Sequence, residues 1–188
     1  MTDSGATLVV IDMQQIFRSA DSQWAVAGYD EAAARIEQLL AAHTGPVVWT
    51  KFVRDHQEEG TWRQYYDRWS ECRLAPDSPQ WDLTRPARPG DATLTLPTFS
   101  KWGPELARLS GDGPLIVCGV ATDCCVLSTV LGAVDAGRAV TLVVDACAGA
   151  TVEAHDQAIA LMAMLSPMVD LVTTDELSSR LRQRRARR

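Results

Sequence analysis

The sequence predicts an α/β fold: a three-layer, doubly wound and mostly parallel six-stranded sheet with helices on both faces. Six short, β-branched apolar runs lie along the chain, and each is too uniformly apolar for a half-exposed antiparallel strand. They alternate with segments of helical periodicity, which is the order typical of parallel sheets covered by helices. The predicted strands are residues 6–12, 46–52, 92–96, 114–119, 139–145 and 169–174.

Helix signals fill the segments between these strands. Aspartate and threonine are favoured N-caps and proline is favoured in the first helical turn. Residues 152–165 are apolar over most of the helix circumference, which predicts a well-buried helix. The expected helix starts are Asp30, Pro104, Thr122, residue 152, and Thr174 or Asp175.

Length and composition favour one domain over residues 1–188. The chain has 188 residues and is 46% hydrophobic, enough for one sizeable core. No apolar run approaches the roughly 20 residues that span a bilayer, and the N-terminus lacks the features of a secretory signal. We therefore expect a cytoplasmic protein with no membrane partner.

The charge distribution argues against a nucleic-acid partner. The net charge is −6 although six arginines lie within residues 180–188, so the remainder of the chain is strongly acidic. The arginine-rich tail is expected to be a solvated, frayed helix end. The five cysteines show no CxxC pairs or regular spacing, which predicts free thiols and no disulfide framework.

Residues 53–91 are the exception to the α/β pattern. They lack strong periodicity and contain several aromatic side chains among prolines and charges. A segment of this length inside a compact domain is usually an active-site lid or an oligomer contact, and both interpretations remain open at this point.

Three chemically useful positions follow predicted strands. Ligands of open parallel sheets bind at the carboxyl ends of the strands. Asp12 closes the first strand, Lys101 follows the third, and Cys124 and Cys125 follow the fourth. We therefore expect a carboxylate, an ammonium and a thiol at one edge of the sheet.

This set of groups suits nucleophilic catalysis. Cys125 is expected in the first turn of a helix, where free N–H groups and a nearby lysine would lower its pKa. Asp12 could accept the thiol proton and return it to a leaving amine. The N–H groups around Ala121 to Cys125 could bind an oxyanion.

At these residues the chain resembles the isochorismatase-like cysteine hydrolases, which include nicotinamidases and N-carbamoylsarcosine amidases. The resemblance spans nearly the whole chain. Its blocks are LVVIDMQQIF, TFSKWGPEL and IVCGVATDCCVLSTVLGAVDAG, of which the last is highly specific.

The resemblance implies an Asp12–Lys101–Cys125 triad, an acyl-enzyme thioester and hydrolysis of a C–N bond in a small amide, carbamoyl or ureido substrate. It also implies a cis peptide bond between Val120 and Ala121, which would aim the Ala121 and Cys125 N–H groups at an oxyanion. Cys125 fits the family pattern better than Cys124. Relatives commonly form homodimers or homotetramers, so one of these states is expected.

Family position also suggests a substrate pocket. Phe17 and Trp102 lie where relatives line the pocket, although either could belong to the core. Trp62, in the aromatic segment, could touch the substrate, close a lid or pack at a dimer contact. Arg54 could bind a substrate carboxylate bidentately, and a surface salt bridge explains it equally well.

The resemblance does not extend to a metal site. Nicotinamidases carry an Asp-x-His pair after the second strand, where this chain has Phe52 and Arg54. Asp55 and His56 are adjacent instead of spaced by one residue. We therefore expect no metal and no cofactor.

Two other functions compete with amide hydrolysis. Isochorismatase-type relatives cleave a vinyl ether and generally lack the cysteine, so Cys125 counts against that reaction. A non-hydrolytic protein whose reactive thiol senses oxidants or binds electrophiles is the alternative from another class.

Overall fold

The computed structural model describes residues 5–185 and contains a six-stranded, all-parallel sheet of order β3-β2-β1-β4-β5-β6. The strands are β1 Thr7–Ile11, β2 Val47–Phe52, β3 Ala92–Leu96, β4 Leu115–Val120, β5 Val140–Ala148 and β6 Val169–Val172. The helices are α1 Gln15–Arg18, α2 Tyr29–Ala42, α3 Trp62–Arg68, α4 Pro104–Ser110, α5 Leu127–Asp135, α6 Val152–Ala163 and α7 Thr174–Arg185. The predicted fold class is confirmed.

The helices cover both faces of the sheet. Helix α2 packs against β4, β5 and α7. The strand order reverses direction after β3, and crossover connections are right-handed, so α4, α5 and α6 fall on the face opposite α2. This reversal makes the gap between β1 and β4 the topological switch point, where ligands of such sheets bind.

The four central strands are mostly apolar because helices bury them on both sides. Every residue of β1 and β4 is buried. The prediction of two-sided burial is wrong for the edge strands, since Thr93, Thr95 and Asp170 are exposed. An edge strand has a neighbour on only one side, so its apolar run does not guarantee burial.

A glycine brings the two strands of the switch point close together. Gly119 pairs with Ile11 across β1 and β4 and has a φ of +117°. A Cβ at this position would lie far inside van der Waals contact with the Ile11 carbonyl oxygen. Only glycine therefore permits this approach.

Two predicted helix caps are wrong. Gly28 precedes α2 in the left-handed conformation, and Asp30 lies in the first turn. The Asp30 Oδ1 lies 2.9 Å from the Arg18 Nε. The β4–α5 turn begins with a π-helical turn over Thr122–Val126, and the Thr122 hydroxyl bonds the His155 ring instead of capping.

The prediction that the helix after β5 is well buried is also wrong. In α6 only Ala158 and Met162 are buried, whereas Val152 is 64% exposed and Leu161 is 45% exposed. Its apolar circumference is wider than the face that the sheet covers.

The arginine-rich tail continues the last helix. Helix α7 extends to Arg185, and the Arg180 guanidinium lies 2.6 Å from the Asp170 carboxylate. The end of the predicted tail, residues 186–188, lies outside the described residues. Within residues 5–185, no helix combines the length and the apolar character needed to cross a bilayer.

Candidate active site

Asp12 and Lys101 form a fully buried ion pair at the carboxyl edge of the sheet. The Lys101 Nζ lies 3.1 Å from Asp12 Oδ2, and neither side chain is exposed. This oxygen has no hydrogen-bond partner among the described residues, so Lys101 contributes charge without a well-directed hydrogen bond. One carboxylate oxygen is therefore free to accept a proton.

Thr50 on β2 fixes the other oxygen of Asp12. The Thr50 hydroxyl donates to Asp12 Oδ1 at 2.6 Å and accepts the Asp12 N–H at 3.1 Å. Asp12 has a φ of +46°, an uncommon conformation for a residue with a side chain. The neighbouring strand thus holds both the backbone and the carboxylate of Asp12.

Lys101 is also held on several sides. Its ammonium donates to the Thr98 carbonyl at 2.6 Å and lies 4.8 Å from the centre of the Phe52 ring. The Lys101 backbone N–H donates to the Thr129 hydroxyl, which donates to the Cys125 carbonyl at 2.6 Å. Thr129 therefore joins the backbone of the lysine loop to that of the cysteine turn.

Cys125 lies in the π-helical turn and is 3% exposed. The Val120–Ala121 peptide bond that precedes this turn is cis, as the sequence resemblance implied. Within residues 5–185, neither the Ala121 N–H nor the Cys125 N–H donates a hydrogen bond beyond its own helical turn.

The environment of Cys125 keeps its thiol protonated. A hydrogen bond with Cys124, burial and the Asp12 charge raise the Cys125 pKa well above its ordinary value, and the Lys101 charge lowers it less. The expectation that the Cys125 pKa is lowered is therefore wrong. A sulfur that acts as a nucleophile here has to lose its proton during attack, which requires a neighbouring base.

A cavity of about 170 Å³ adjoins the Cys125 side of this site. Six aromatic side chains dominate its wall, and ring contacts at 5.4–6.4 Å between centroids connect them into one cluster. The six are Phe17, Trp24, Phe52, Tyr65, Trp69 and Phe99. Segment 53–91 therefore supplies part of the cavity wall.

The predicted pocket residues divide into two groups. Phe17 lines the cavity, as do Ala121 and Cys125. Trp62 does not line it and packs behind the wall, 4.9 Å from Phe99 between ring centroids. Trp102 also lies outside, where its ring contacts Arg138 and its side chain packs beside Gly132.

Arg54 does not reach the cavity because a buried glutamate holds it. Its guanidinium lies 2.5 Å from Glu58 and contacts the ring of Tyr66. Arg73 binds the same carboxylate at 2.6 Å. Hydrogen bonds from Arg73 and Arg54 lower the Glu58 pKa to about 2. The structure therefore favours a structural ion pair over carboxylate recognition for Arg54.

The residues that occupy the metal position of nicotinamidases do not fit a metal. The Phe52 ring packs against the Lys101 ammonium and Arg54 is itself a cation. Within residues 5–185, no three His, Cys, Asp or Glu side chains converge in a metal-binding arrangement. The side chains at this position therefore offer no ligand set through which a metal ion could act.

Sequence reasoning missed several residues that build the site. Thr50 and Thr129 are buried threonines inside regular elements, and nothing local distinguishes them from packing residues. The Gln14 side chain donates to the Phe52 carbonyl at 2.9 Å and the Trp81 carbonyl at 2.6 Å, joining β2 to segment 53–91. Cys124, expected to be a buried hydrophobe, lines the cavity.

Comparison with known proteins defines the family to which this fold belongs. The chain matches the isochorismatase domain model over residues 6–176. No curated protein is significantly similar to it. The chain therefore belongs to the isochorismatase family of hydrolases, and the resemblance found in the sequence is confirmed.

Solved structures of this family share the architecture at low sequence identity. A cysteine hydrolase from Pseudomonas syringae pv. phaseolicola 1448A superimposes with a TM-score of 0.84 at 19% identity, covering 97% of this chain and 95% of its own. An isochorismatase family protein from Desulfovibrio vulgaris subsp. vulgaris str. Hildenborough gives a TM-score of 0.77 at 24% identity, with coverages of 94% and 98%. An isochorismatase-like hydrolase from Alkaliphilus metalliredigens gives 0.74 at 14%, with coverages of 93% and 97%.

Proposed function

We propose that the protein is a cysteine amidohydrolase that cleaves the C–N bond of a small amide-type substrate through a Cys125 thioester. The carrying observation is that the Asp12–Lys101 ion pair is fully buried, that Asp12 Oδ2 has no hydrogen-bond partner among the described residues, and that the Cys125 turn follows β4 at the same edge of the sheet. A carboxylate beside a protonated thiol is the arrangement that couples proton removal to nucleophilic attack.

In the first half-reaction the Cys125 sulfur attacks the substrate carbonyl and its proton passes to Asp12. The carbonyl oxygen becomes an oxyanion, to which the Ala121 and Cys125 N–H groups can donate. The C–N bond then breaks, Asp12 returns the proton to the leaving nitrogen, and ammonia or an amine departs. Lys101 balances the negative charge that moves between sulfur and carboxylate.

In the second half-reaction water attacks the thioester carbonyl. Asp12 accepts a proton from this water, the C–S bond breaks, and the sulfur leaves. The carboxylic acid departs and Cys125 regains its proton. Each proton that Asp12 accepts is therefore returned within one cycle, and no further reactant is required.

The position of Cys125 supports this reaction over vinyl-ether hydrolysis. An aspartate acting as an acid on a vinyl ether needs no nucleophilic sulfur. Here the thiol lines the cavity and experiences both charges of the ion pair. The same pair favours a hydrolase over a simple reactive-thiol sensor, because a carboxylate near the thiol could return a proton to a leaving group.

Ammonia release from a panel of small primary amides tests the proposal. Replacing Cys125→Ala should abolish turnover, because the nucleophile is lost. The matched control is Cys124→Ala, which removes the adjacent thiol and should retain measurable activity. Full amidase activity in the Cys125→Ala variant would refute the assignment.

We also propose that the chain acts as one cytoplasmic hydrolase domain in a homodimer or homotetramer. The support for self-association is the exposure of large apolar side chains, with Val152 64% and Met164 84% exposed. Sedimentation equilibrium at micromolar concentration tests this. A species with the 20.5 kDa mass of one chain would contradict it.

A further inference from the structure

The cavity beside Cys125 has a largely aromatic wall. Its six rings come from four separate parts of the chain, and Trp24 contacts Phe17, Phe52 and Tyr65 within 6.0 Å between centroids. Burial and the neighbouring Cys124 raise the Tyr65 pKa, so this phenol remains neutral. The wall therefore favours flat or branched apolar groups.

The wall provides no cation for an anionic substrate. No lysine, arginine or histidine lies among the described residues that line the cavity. Lys101 is fully buried and already bound by Asp12 and the Thr98 carbonyl. Arg54 is held by Glu58 outside the wall. A substrate carboxylate would therefore lose hydration without gaining a cationic partner.

The one carboxyl among the described wall residues offers no partner for an anion. Asp123 lines the cavity next to the two cysteines, and its Oδ1 accepts the Ala150 N–H at 2.8 Å. The remaining polar wall residue, Gln23, is an exposed amide that accepts the Glu71 N–H at 3.1 Å. Neither group compensates a negative charge.

We propose that the substrate is a small amide whose acyl group is uncharged and apolar, such as a single ring or a branched alkyl chain. This inference rests on the proposed function and narrows it. A cavity of about 170 Å³ is close in size to an engineered apolar cavity that binds benzene. The proposal excludes substrates whose acyl group carries a carboxylate, which includes many carbamoyl and ureido compounds.

A matched pair of amides tests the charge requirement. 4-Methylpentanamide and succinamate have the same number of heavy atoms and a similar shape. The terminal isopropyl group of the first is replaced by a carboxylate in the second. An unpaired charge in an apolar site is strongly disfavoured, so kcat/KM should favour 4-methylpentanamide by more than about 100-fold.

The outcomes separate this inference from the proposed function. Equal or preferred cleavage of succinamate would overturn the inference while leaving amide hydrolysis intact. Failure of the enzyme to hydrolyse either compound, or any member of a wider panel of small amides, would contradict the proposed function itself.

A variant at the cavity wall provides an independent check. Gln23→Lys adds a cation at an exposed position, and Gln23→Met removes the same amide without adding a charge. The preference for 4-methylpentanamide over succinamate should fall about two- to fivefold in Gln23→Lys relative to Gln23→Met, since water screens a pair of opposite charges at an exposed position. If the ratio of the kcat/KM values for the two amides were the same in both variants, charge would not be the feature that selects the substrate.

Discussion

Replacing Thr50→Val tests whether Asp12 depends on the neighbouring strand for its orientation. Valine keeps the shape of the side chain and removes the hydroxyl. Two buried hydrogen bonds are lost, one from the hydroxyl to Asp12 Oδ1 at 2.6 Å and one from the Asp12 N–H at 3.1 Å. Both Asp12 and Thr50 are fully buried, so water cannot replace these bonds directly.

The expected loss of stability follows from the two hydrogen bonds between Thr50 and Asp12. A hydrogen bond to a charged group contributes about 1.5–3 kcal/mol and one between neutral groups about 0.5–1.5 kcal/mol. We therefore expect the free energy of unfolding to fall by roughly 2–4 kcal/mol, less than the total stability of a typical domain. Because the carboxylate can rotate, kcat/KM should fall by roughly 10–100-fold.

Urea denaturation and steady-state ammonia release measure the two effects. The control is Thr7→Val on β1, which is equally buried but bonds a neutral carbonyl, that of Ser110, at 3.2 Å. This variant should lose about 1 kcal/mol of stability and no activity. If Thr50→Val matched Thr7→Val in both assays, the reasoning on Asp12 would be refuted.

Three further variants test other contacts. Thr129→Val, which separates the Lys101 loop from the Cys125 turn, should lower kcat roughly tenfold, measured by steady-state kinetics. Gly119→Ala should lose about 4 kcal/mol or more in denaturation, because its Cβ meets the Ile11 carbonyl. Glu58→Gln should lose stability at neutral pH. That deficit should shrink from about pH 4.5 down to about 2, because the lowered pKa makes ionised Glu58 stabilising only above this range.

Matched controls exist for the last two variants. Gly60 has a φ of +61° and open space around a Cβ, so Gly60→Ala should lose only about 1–2 kcal/mol. Equal losses of stability in Gly60→Ala and Gly119→Ala would contradict the argument that the close approach of β1 and β4 requires a glycine at position 119. Glu105→Gln removes an exposed ion pair with Arg108 and should show little pH-dependent change.

The sequence predicted the fold because its signals are local and repeated. Each central strand is an apolar run of β-branched residues, and burial between two helix layers requires that pattern. The loops that follow β1, β3 and β4 could be assigned to the active site, because parallel strands bring their carboxyl ends to one edge of the sheet. The Asp12–Lys101 pair is the direct result.

The remaining features depend on contacts between distant segments. Trp24 lies between β1 and α2, where no periodicity marks it, and its place in the cavity wall depends on rings from segment 53–91. The Cys125 pKa is set by burial and the Cys124 contact, which helix position alone does not reveal. The exposure of Val152 depends on how much of α6 the sheet covers.

Rapid-quench mass spectrometry of the enzyme with 4-methylpentanamide tests the central claim most directly. We expect a transient 4-methylpentanoyl adduct that maps to Cys125 and is absent from the Cys125→Ala variant. Turnover without any adduct, together with continued hydrolysis in that variant, would contradict nucleophilic catalysis by Cys125.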